Sequence, residues 1–215
     1  MNAILAKDET EKVLHVDADP QASSATYHHR AITRYPDLEH RFICRPYANE
    51  EQLAERLQQA DEEGFAYVII DTAGSHKDPT KYLFAEADRA IVPFRPSLKE
   101  YESQLATIEL YHQVRMVMEE HGLTAPVVKL VLNDWSENQR MTADQRTILA
   151  TIHEEPLLAS FYVPSRNGFD TLDQGFVIYK EMQNPEVATN FFINKSRKEE
   201  LEIALDTLRN IEVMQ

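Results

Sequence analysis

Apolar and polar positions along the chain predict strands and helices in alternation. Short apolar runs bounded by turn residues are typical of strands buried in a sheet. Segments with apolar residues three and four positions apart are typical of amphipathic helices. The pattern predicts strands at 12–16, 41–45, 65–70, 90–93, 127–132 and 157–163. It predicts helices or helical turns at 2–7, 50–63, 79–87, 98–121, 142–153, 168–174, 185–194 and 196–213.

Strands that alternate with helices predict the α/β class, with a doubly wound, mostly parallel sheet and helices on both faces. A chain of 215 residues can bury a full core, and no linker, repeat or low-complexity tract divides it. We therefore expect a single α/β domain over residues 1–215, with C-terminal helices at about 185–213. The segment 22–35 is polar, and we expect it to be irregular or only partly helical.

Charge and cysteine content narrow the functional classes. The chain carries 22 basic and 36 acidic residues, a net charge of −14, which repels nucleic acid over most of the surface. It contains no apolar run of about 18 residues and no signal-peptide pattern at its start. The one cysteine, Cys44, lies in an apolar run and fits a core position in a reducing compartment. We expect a cytoplasmic protein.

Acidic side chains follow two of the predicted strands. Asp17 and Asp19 end the first strand and leave it on the same side, since side chains alternate along a strand. Asp71 follows the apolar run 65–70. The carboxyl ends of parallel strands share one edge, where open α/β sheets bind ligands. These acids could bind Mg²⁺ or orient a water molecule. The alternative is that Asp17 and Asp19 have no role in binding, and that the first strand simply ends there in a polar turn containing Pro20.

Five segments, in order, resemble the ParA/MinD family of deviant Walker ATPases. VLHVDADPQASSAT is similar to the family's VLLIDxDPQGxxT segment, and YVIIDTAG followed by AEADRAIVPFRPS is similar to its Walker B strand and the strand after it. VVKLVLND resembles its asparagine-bearing strand, and VPSRNGFDTLDQGFVIYK resembles its IPxRxxxxxAxxxGxPV tail. The resemblance extends over residues 2–190 and implies a P-loop NTPase-like fold.

The resemblance also implies a site for ATP and Mg²⁺. Asp19 matches the family acid that helps to place the attacking water. Asp17 and Asp71 match acids at the metal, with Asp71 in the Walker B position. Asn133 and the turn from Pro164 to Arg166 match positions near the adenine.

The sequence departs from the family at the phosphate-binding loop. No GxxxxGK[ST] motif occurs in the 215 residues, and residues 2–21 align with the end of the family's first helix and its second strand. A chain without the phosphate-binding loop lacks the backbone amides and the lysine with which that loop binds phosphate. We therefore expect impaired hydrolysis of ATP. Three explanations compete: a truncated chain, a relative whose sheet has closed up, or a missing strand supplied by a partner or second copy; we expect truncation. Loss of that central strand would place its two neighbours at sheet edges.

The family implies a cytoplasmic ParA-like partition or transfer protein that dimerises around ATP·Mg²⁺ and responds to a ParB-like adaptor. Nonspecific DNA binding is implied too, but the net charge disfavours it. We expect no membrane binding, because Ser196 to Gln215 has no excess of basic residues and lacks Trp and Phe. The alternative is a non-catalytic scaffold or interaction protein that kept the fold and lost nucleotide hydrolysis.

Overall fold

The computed structural model describes residues 1–72, 78–136, 138 and 140–215. Within them, the strands are β1 (Val13–Ala18), β2 (Phe42–Pro46), β3 (Tyr67–Thr72), β4 (Arg89–Phe94), β5 (Val127–Trp135) and β6 (Leu158–Pro164). The helices are α1 (Asn2–Lys7), α2 (Ser23–Arg34), α3 (Glu50–Glu62), α4 (Asp78–Ala85), α5 (Leu98–Glu120), α6 (Ala143–His153), α7 (Ile178–Gln183), α8 (Pro185–Thr189) and α9 (Phe191–Glu212). Short 3-10 turns cover Pro36–Leu38 and Phe169–Gln174.

The six strands lie where the apolar runs predict them, with ends that differ by at most three residues. Two predicted helix caps are confirmed. The Asn49 carboxamide oxygen accepts from the Gln52 amide, and Thr142 and Gln145 form a reciprocal capping box. The α/β class with parallel strands and flanking helices is confirmed. The expected polar segment 22–35 is instead the regular helix α2, so that prediction is wrong.

The chain divides into two compact units. The first spans Met1–Ala73 and Arg166–Leu208, and the second spans Gly74–Ser165 and Arg209–Gln215. We describe each unit separately, and a single domain over 1–215 stays a prediction.

The first unit contains a parallel sheet of order β2-β1-β3. Both faces of its central strand are covered, because Val13 and His15 on one face and Leu14 and Val16 on the other are all buried. On the face of Val13, its core includes residues of α1, α2 and β2 that are fully or almost fully buried: Ile4, Leu5, Ala31 and Phe42. Helix α2 lies against β1 and β2, which fixes its first turn near their carboxyl ends.

The second unit contains a parallel sheet of order β4-β5-β6. Its core joins β4 and β5 to the buried sides of α5 and α6, through Phe94, Leu130, Ile108 and Ile152. In the described residues β3 ends the first sheet and β4 ends the second.

The C-terminal helices differ from the prediction. Helix α7 was not predicted, and it is held by long-range bonds: the Ile178 amide donates to Asn2 Oδ1 at 2.9 Å. Helix α9 begins at Phe191 rather than at residue 196, because Asn190 Oδ1 accepts the Ile193 amide at 3.2 Å and caps its first turn. Residues 194–196 continue the helix without a break.

Replacing Gly175 by Ala is expected to lower the free energy of unfolding by about 2–4 kcal/mol. Gly175 has φ +84, and an added Cβ would lie 2.5 Å from Arg30 Cβ and 2.7 Å from the Arg30 carbonyl carbon in α2. Gly122 is the matched control, because it has φ +72 but nothing within 4 Å of an added Cβ. Urea unfolding should show a loss of only about 1 kcal/mol for Gly122→Ala; equal losses in the two variants would contradict the contact with α2.

Candidate functional site

The predicted acids of the first unit lie at the carboxyl ends of neighbouring strands. In the parallel pairing of β1 with β3, Asp17 is opposite Asp71, and Ala18 is opposite Thr72. Parallel neighbours at matched register project their side chains to the same face of the sheet. The structure therefore brings Asp17 and Asp71 to one edge of the sheet, beside the loop that leads from β1 into α2. Ala73 and Gly74, which complete the Walker B-like segment in the sequence, lie outside the described residues.

Asp17 is an internal anchor of this edge. The residue is 4% exposed, and its Oδ2 accepts from the Ala25 amide at 2.8 Å, while its Oδ1 accepts from the Asp19 amide at 3.1 Å. The residue before α2, Ala22, has a left-handed backbone (φ 52) and no side-chain cap. A carboxylate at a helix N-terminus satisfies free amides and interacts favourably with the helix dipole. Asp17 thus caps α2 from the neighbouring strand.

Ser24 connects α2 to the second acid. Its hydroxyl donates to Asp71 Oδ2 at 2.5 Å, a short hydrogen bond of the kind a carboxylate accepts from a hydroxyl. The sequence analysis did not identify Ser24. The signal available was a serine in the first turn after the acidic strand end, which becomes informative only once the register of β1 and β3 is known.

Asp19 lies on the loop between β1 and α2 and is half-buried. Its Oδ1 accepts from the Gln21 amide at 2.8 Å, and its carbonyl oxygen accepts from the Ala22 amide at 2.9 Å. These bonds, with that from the Asp19 amide to Asp17, hold the loop in one conformation. The Asp19 carboxylate is more accessible than that of Asp17 and belongs to the same cluster.

Two further titratable groups share this face of the sheet. His15 is opposite Cys44 in the pairing of β1 with β2, two residues before Asp17. Burial lowers the pKa of His15 despite the opposing effect of Asp71 and Asp17, and no described group bonds to its Nδ1. Burial raises the pKa of Cys44 to about 11, helped by Asp17. Cys44 is a buried free thiol, as predicted, and is protonated at neutral pH.

The residues that match adenine-site positions lie elsewhere in the chain. Asn133, half-buried, is near the carboxyl end of β5, and Pro164 ends β6 opposite Trp135. The Ser165 amide donates to the Trp135 carbonyl at 2.8 Å, so the turn stays joined to β5. Arg166 is exposed, and its Nη1 lies 3.2 Å from Glu199 Oε2 of α9.

The structure thus brings together Asp17, Asp19, Asp71 and Ser24 in the first unit, and brings Asn133 near Pro164 in the second. Convergence of all these positions on one crevice stays a prediction, as do the individual roles of the six predicted residues.

The described residues include no group of three or more His, Cys, Asp or Glu side chains arranged to hold a metal ion. Mg²⁺ does not require three protein ligands, since it keeps several waters and binds one or two carboxylates together with substrate phosphates. None of the helices in the described part of the chain is long and apolar enough to cross a bilayer.

The arrangement defines an α/β protein with parallel strands, flanking helices and acids at the carboxyl ends of β1 and β3. The solved structures that it resembles in fold include plasmid partition proteins, a ParA family ATPase and a MinD protein. They include a plasmid partition protein from Borrelia burgdorferi B31 bound to AMPPNP, 16% identical, with a TM-score of 0.52 over 96% of this chain and 92% of that chain. A ParA family ATPase from Chlorobium tepidum is 16% identical, with a TM-score of 0.54 over 94% and 90% of the two chains.

The MinD cell division protein of Aquifex aeolicus is 15% identical, with a TM-score of 0.52 over 93% of this chain and 88% of that chain. No family model matches the sequence, and a comparison with curated proteins found no significant match. The solved structures alone confirm the resemblance to ParA and MinD proteins, and they confirm it at the level of the fold.

Replacing Asp17 by Ala is expected to lower the free energy of unfolding by about 2–3 kcal/mol, because two partly buried amides lose a charged acceptor. Asp19→Ala is the matched control, since its carboxylate accepts one exposed amide bond and should cost less than about 1 kcal/mol. Chemical unfolding followed by circular dichroism measures both. A cost for Asp17→Ala no larger than that for Asp19→Ala would show that Asp17 does not anchor α2.

The burial of His15 makes stability depend on pH. Because the pKa of His15 in the folded chain is below its ordinary value of 6.5, the unfolded chain binds more protons than the folded chain below that pH. Stability should therefore fall as the pH is lowered from 7 to 5. His15→Gln should flatten part of that slope, and His28→Gln another part, since burial also lowers the pKa of His28.

Urea titrations at pH 5, 6 and 7 measure the slope. His29→Gln is the control, because His29 is exposed beside His28. If His15→Gln and His29→Gln gave the same slope as the unmodified chain, the burial argument for His15 would fail.

Proposed function

We propose that this chain is a ParA-like partition or transfer protein whose acidic sheet edge faces a Mg²⁺-bound nucleotide. The observation that carries the proposal is the pairing of Asp17 with Asp71 at the carboxyl ends of β1 and β3, joined to the first turn of α2 by Ser24 and Ala25. Open α/β sheets bind ligands at that edge. The likeness to a partition protein bound to AMPPNP supports the choice of nucleotide.

The residues present fit a magnesium ion. The hydrogen bond from Ser24 is made to one oxygen of Asp71, and a carboxylate oxygen has more than one acceptor position. Asp71 would hold Mg²⁺ through water, with Asp17 as the second acid near the metal. The ion would supply positive charge against the nucleotide phosphates. Ser24 would fix the orientation of Asp71, and Asp17 would keep the loop in place through its two amide bonds.

Asp19 is the residue proposed to orient an attacking water. It is the more accessible acid on the loop, and its own backbone is held by Asp17 and Ala22. A carboxylate in a fixed position can accept a proton or a hydrogen bond from water. Asn133, Pro164 and Arg166 are proposed to lie near the adenine, with Arg166 held by Glu199.

Hydrolysis by these 215 residues is proposed to be impaired. Phosphoryl transfer depends on positioning and on charge stabilisation, and a glycine-rich loop with its lysine normally supplies much of both. The sequence contains five glycines and no GxxxxGK[ST] motif. The acids described above can hold a cation but cannot replace the amides that cradle phosphate.

The proposed setting is the cytoplasm, with a homodimer around ATP·Mg²⁺ and a ParB-like adaptor as partner. ATP-dependent DNA segregation is the proposed process. Nonspecific DNA binding by this chain is disfavoured by its net charge of −14. We propose no role at a membrane.

A second candidate is a non-catalytic scaffold that kept the fold and lost the nucleotide. It is favoured by the missing phosphate-loop motif, by the acidic charge, and by the use of both Asp17 oxygens for backbone amides. In that case the hydrogen bonds of Asp17 and Asp71 to the first turn of α2 would serve only to attach α2 to the sheet.

The stability of the chain in thermal unfolding with 10 mM ATP, with and without Mg²⁺, distinguishes the nucleotide-binding protein from the scaffold. A dissociation constant near 1 mM would stabilise the chain by about 1.4 kcal/mol when Mg²⁺ is present. Asp71→Asn should abolish the Mg²⁺-dependent part, whereas Asp61→Asn, an exposed acid on α3, should not.

An unchanged Mg²⁺ effect in Asp71→Asn would contradict the proposed metal site. No stabilisation in any variant would favour the scaffold. A micromolar dissociation constant would contradict the proposed impairment of the phosphate grip.

A further inference from the structure

The amino end of α9 exposes three large apolar side chains in a row. Phe191 is 72% exposed, Phe192 is 80% exposed and Ile193 is 45% exposed. The two rings contact each other in a T-shaped arrangement with centroids 5.5 Å apart. Scattered single apolar residues on a surface need no explanation, but a contiguous aromatic group marks an interaction site. We call these three residues the aromatic tip.

The aromatic tip is held in place and is flanked by positive charge. Asn190 caps the helix at Ile193, so the tip lies on the first turn of a 22-residue helix rather than on a loop. Lys195 and Lys198 are exposed further along the helix, where Lys195 Nζ also lies 4.0 Å from Glu199 Oε1. A partner suited to the tip offers an apolar pocket for a ring and acidic groups at its mouth.

The second unit contains such a pocket. A cavity of about 200 Å³ lies between β4, β5, α5 and α6. Its buried apolar walls are Phe94, Ile108, Leu130 and Ile152. Leu105, 44% exposed, and the acids Glu154 and Glu155 lie at its more accessible side. We call this the acid-rimmed cavity.

We propose that the aromatic tip of one copy of this chain inserts into the acid-rimmed cavity of a second copy. Size supports the fit, since an apolar cavity of roughly 150 Å³ accepts a benzene molecule. Charge supports it too, because Lys195 and Lys198 beside the tip would meet Glu154 and Glu155 beside the cavity. Among the described residues of the first unit, none covers the two phenylalanine rings, which are 72% and 80% exposed.

This contact joins two different surfaces, so it is heterologous. A pair of copies joined in this way keeps one free tip and one free cavity, and further copies can add to form a ring or an open chain. The contact is independent of the nucleotide, and it does not rest on the proposed function.

Sedimentation velocity of the full chain between 5 and 500 µM, without nucleotide, tests the proposal. The average mass should rise with concentration. The tip variant Phe191→Ser/Phe192→Ser should raise the dissociation constant at least tenfold, because exposed aromatic anchors carry much of an interface. The cavity variant Leu105→Lys/Glu154→Lys should do the same by making the mouth basic.

Mixing the two variants distinguishes this contact from a tip-to-tip contact. The cavity variant keeps its tip and the tip variant keeps its cavity, so an equimolar mixture should form dimers that grow no further. Met116→Lys/Glu120→Lys is the matched control on α5, since Met116 is 59% exposed and Glu120 is exposed. Val213→Ser controls for loss of another exposed apolar side chain, which is 71% exposed.

Three results would overturn the proposal. The chain could stay monomeric over the whole range, the tip variant could associate like the unmodified chain, or the mixture could stay monomeric. Flotation with vesicles of phosphatidylcholine and 30% phosphatidylglycerol adds a further check: tip-dependent flotation of a monomeric chain would assign the tip to a lipid surface instead. Circular dichroism melts confirm that each surface variant is folded.

Discussion

The Asp17 carboxylate is the contact on which the candidate site depends. It accepts two backbone amides, one from the loop that carries Asp19 and one from the first turn of α2. Through α2 it also sets Ser24 against Asp71 on the next strand. One buried side chain, 4% exposed, therefore orders the strand ends, the loop and the helix that form the acidic edge. A buried carboxylate without these two donors would lower the free energy of unfolding. The burial of Asp17 therefore requires the loop and the first turn of α2 to stay where they can donate to it.

Much of this fold follows from local sequence. The apolar runs that become β3 and β5 are bounded by polar residues, and the caps at Asn49 and Thr142 use residues three positions apart, so both can be read from short windows. The pairing of Asp17 with Asp71 could be anticipated only as a shared sheet edge, because register is set by the whole sheet. The likeness to ParA and MinD proteins, confirmed in the fold, rests on the order of these strands and their polar ends.

Other features could not be predicted because they depend on distant partners. Helix α2 has a polar sequence and no cap of its own, and its cap comes from a strand residue eight positions before Ala25. Helix α7 is attached through Asn2, which is 176 residues from Ile178. Helix α9 begins at Phe191, whereas the sequence predicted separate helices at 185–194 and 196–213, so the exposed aromatic residues were not expected on the first turn of a long helix. The proposed self-association follows from that revised boundary.

The central claim is that the acidic edge faces a metal-bound nucleotide, and paramagnetic relaxation in NMR tests it most directly. Mn²⁺ can replace Mg²⁺ at oxygen ligands. Titrating Mn²⁺·ATP into the labelled chain should selectively broaden the amide signals of Asp19, Ser24, Ala25 and Asp71, and excess Mg²⁺·ATP should reverse the broadening. Amides of α3, which lies in the same unit, should keep their line widths. Broadening centred on other acidic surfaces, or spread uniformly over the chain, would contradict the account.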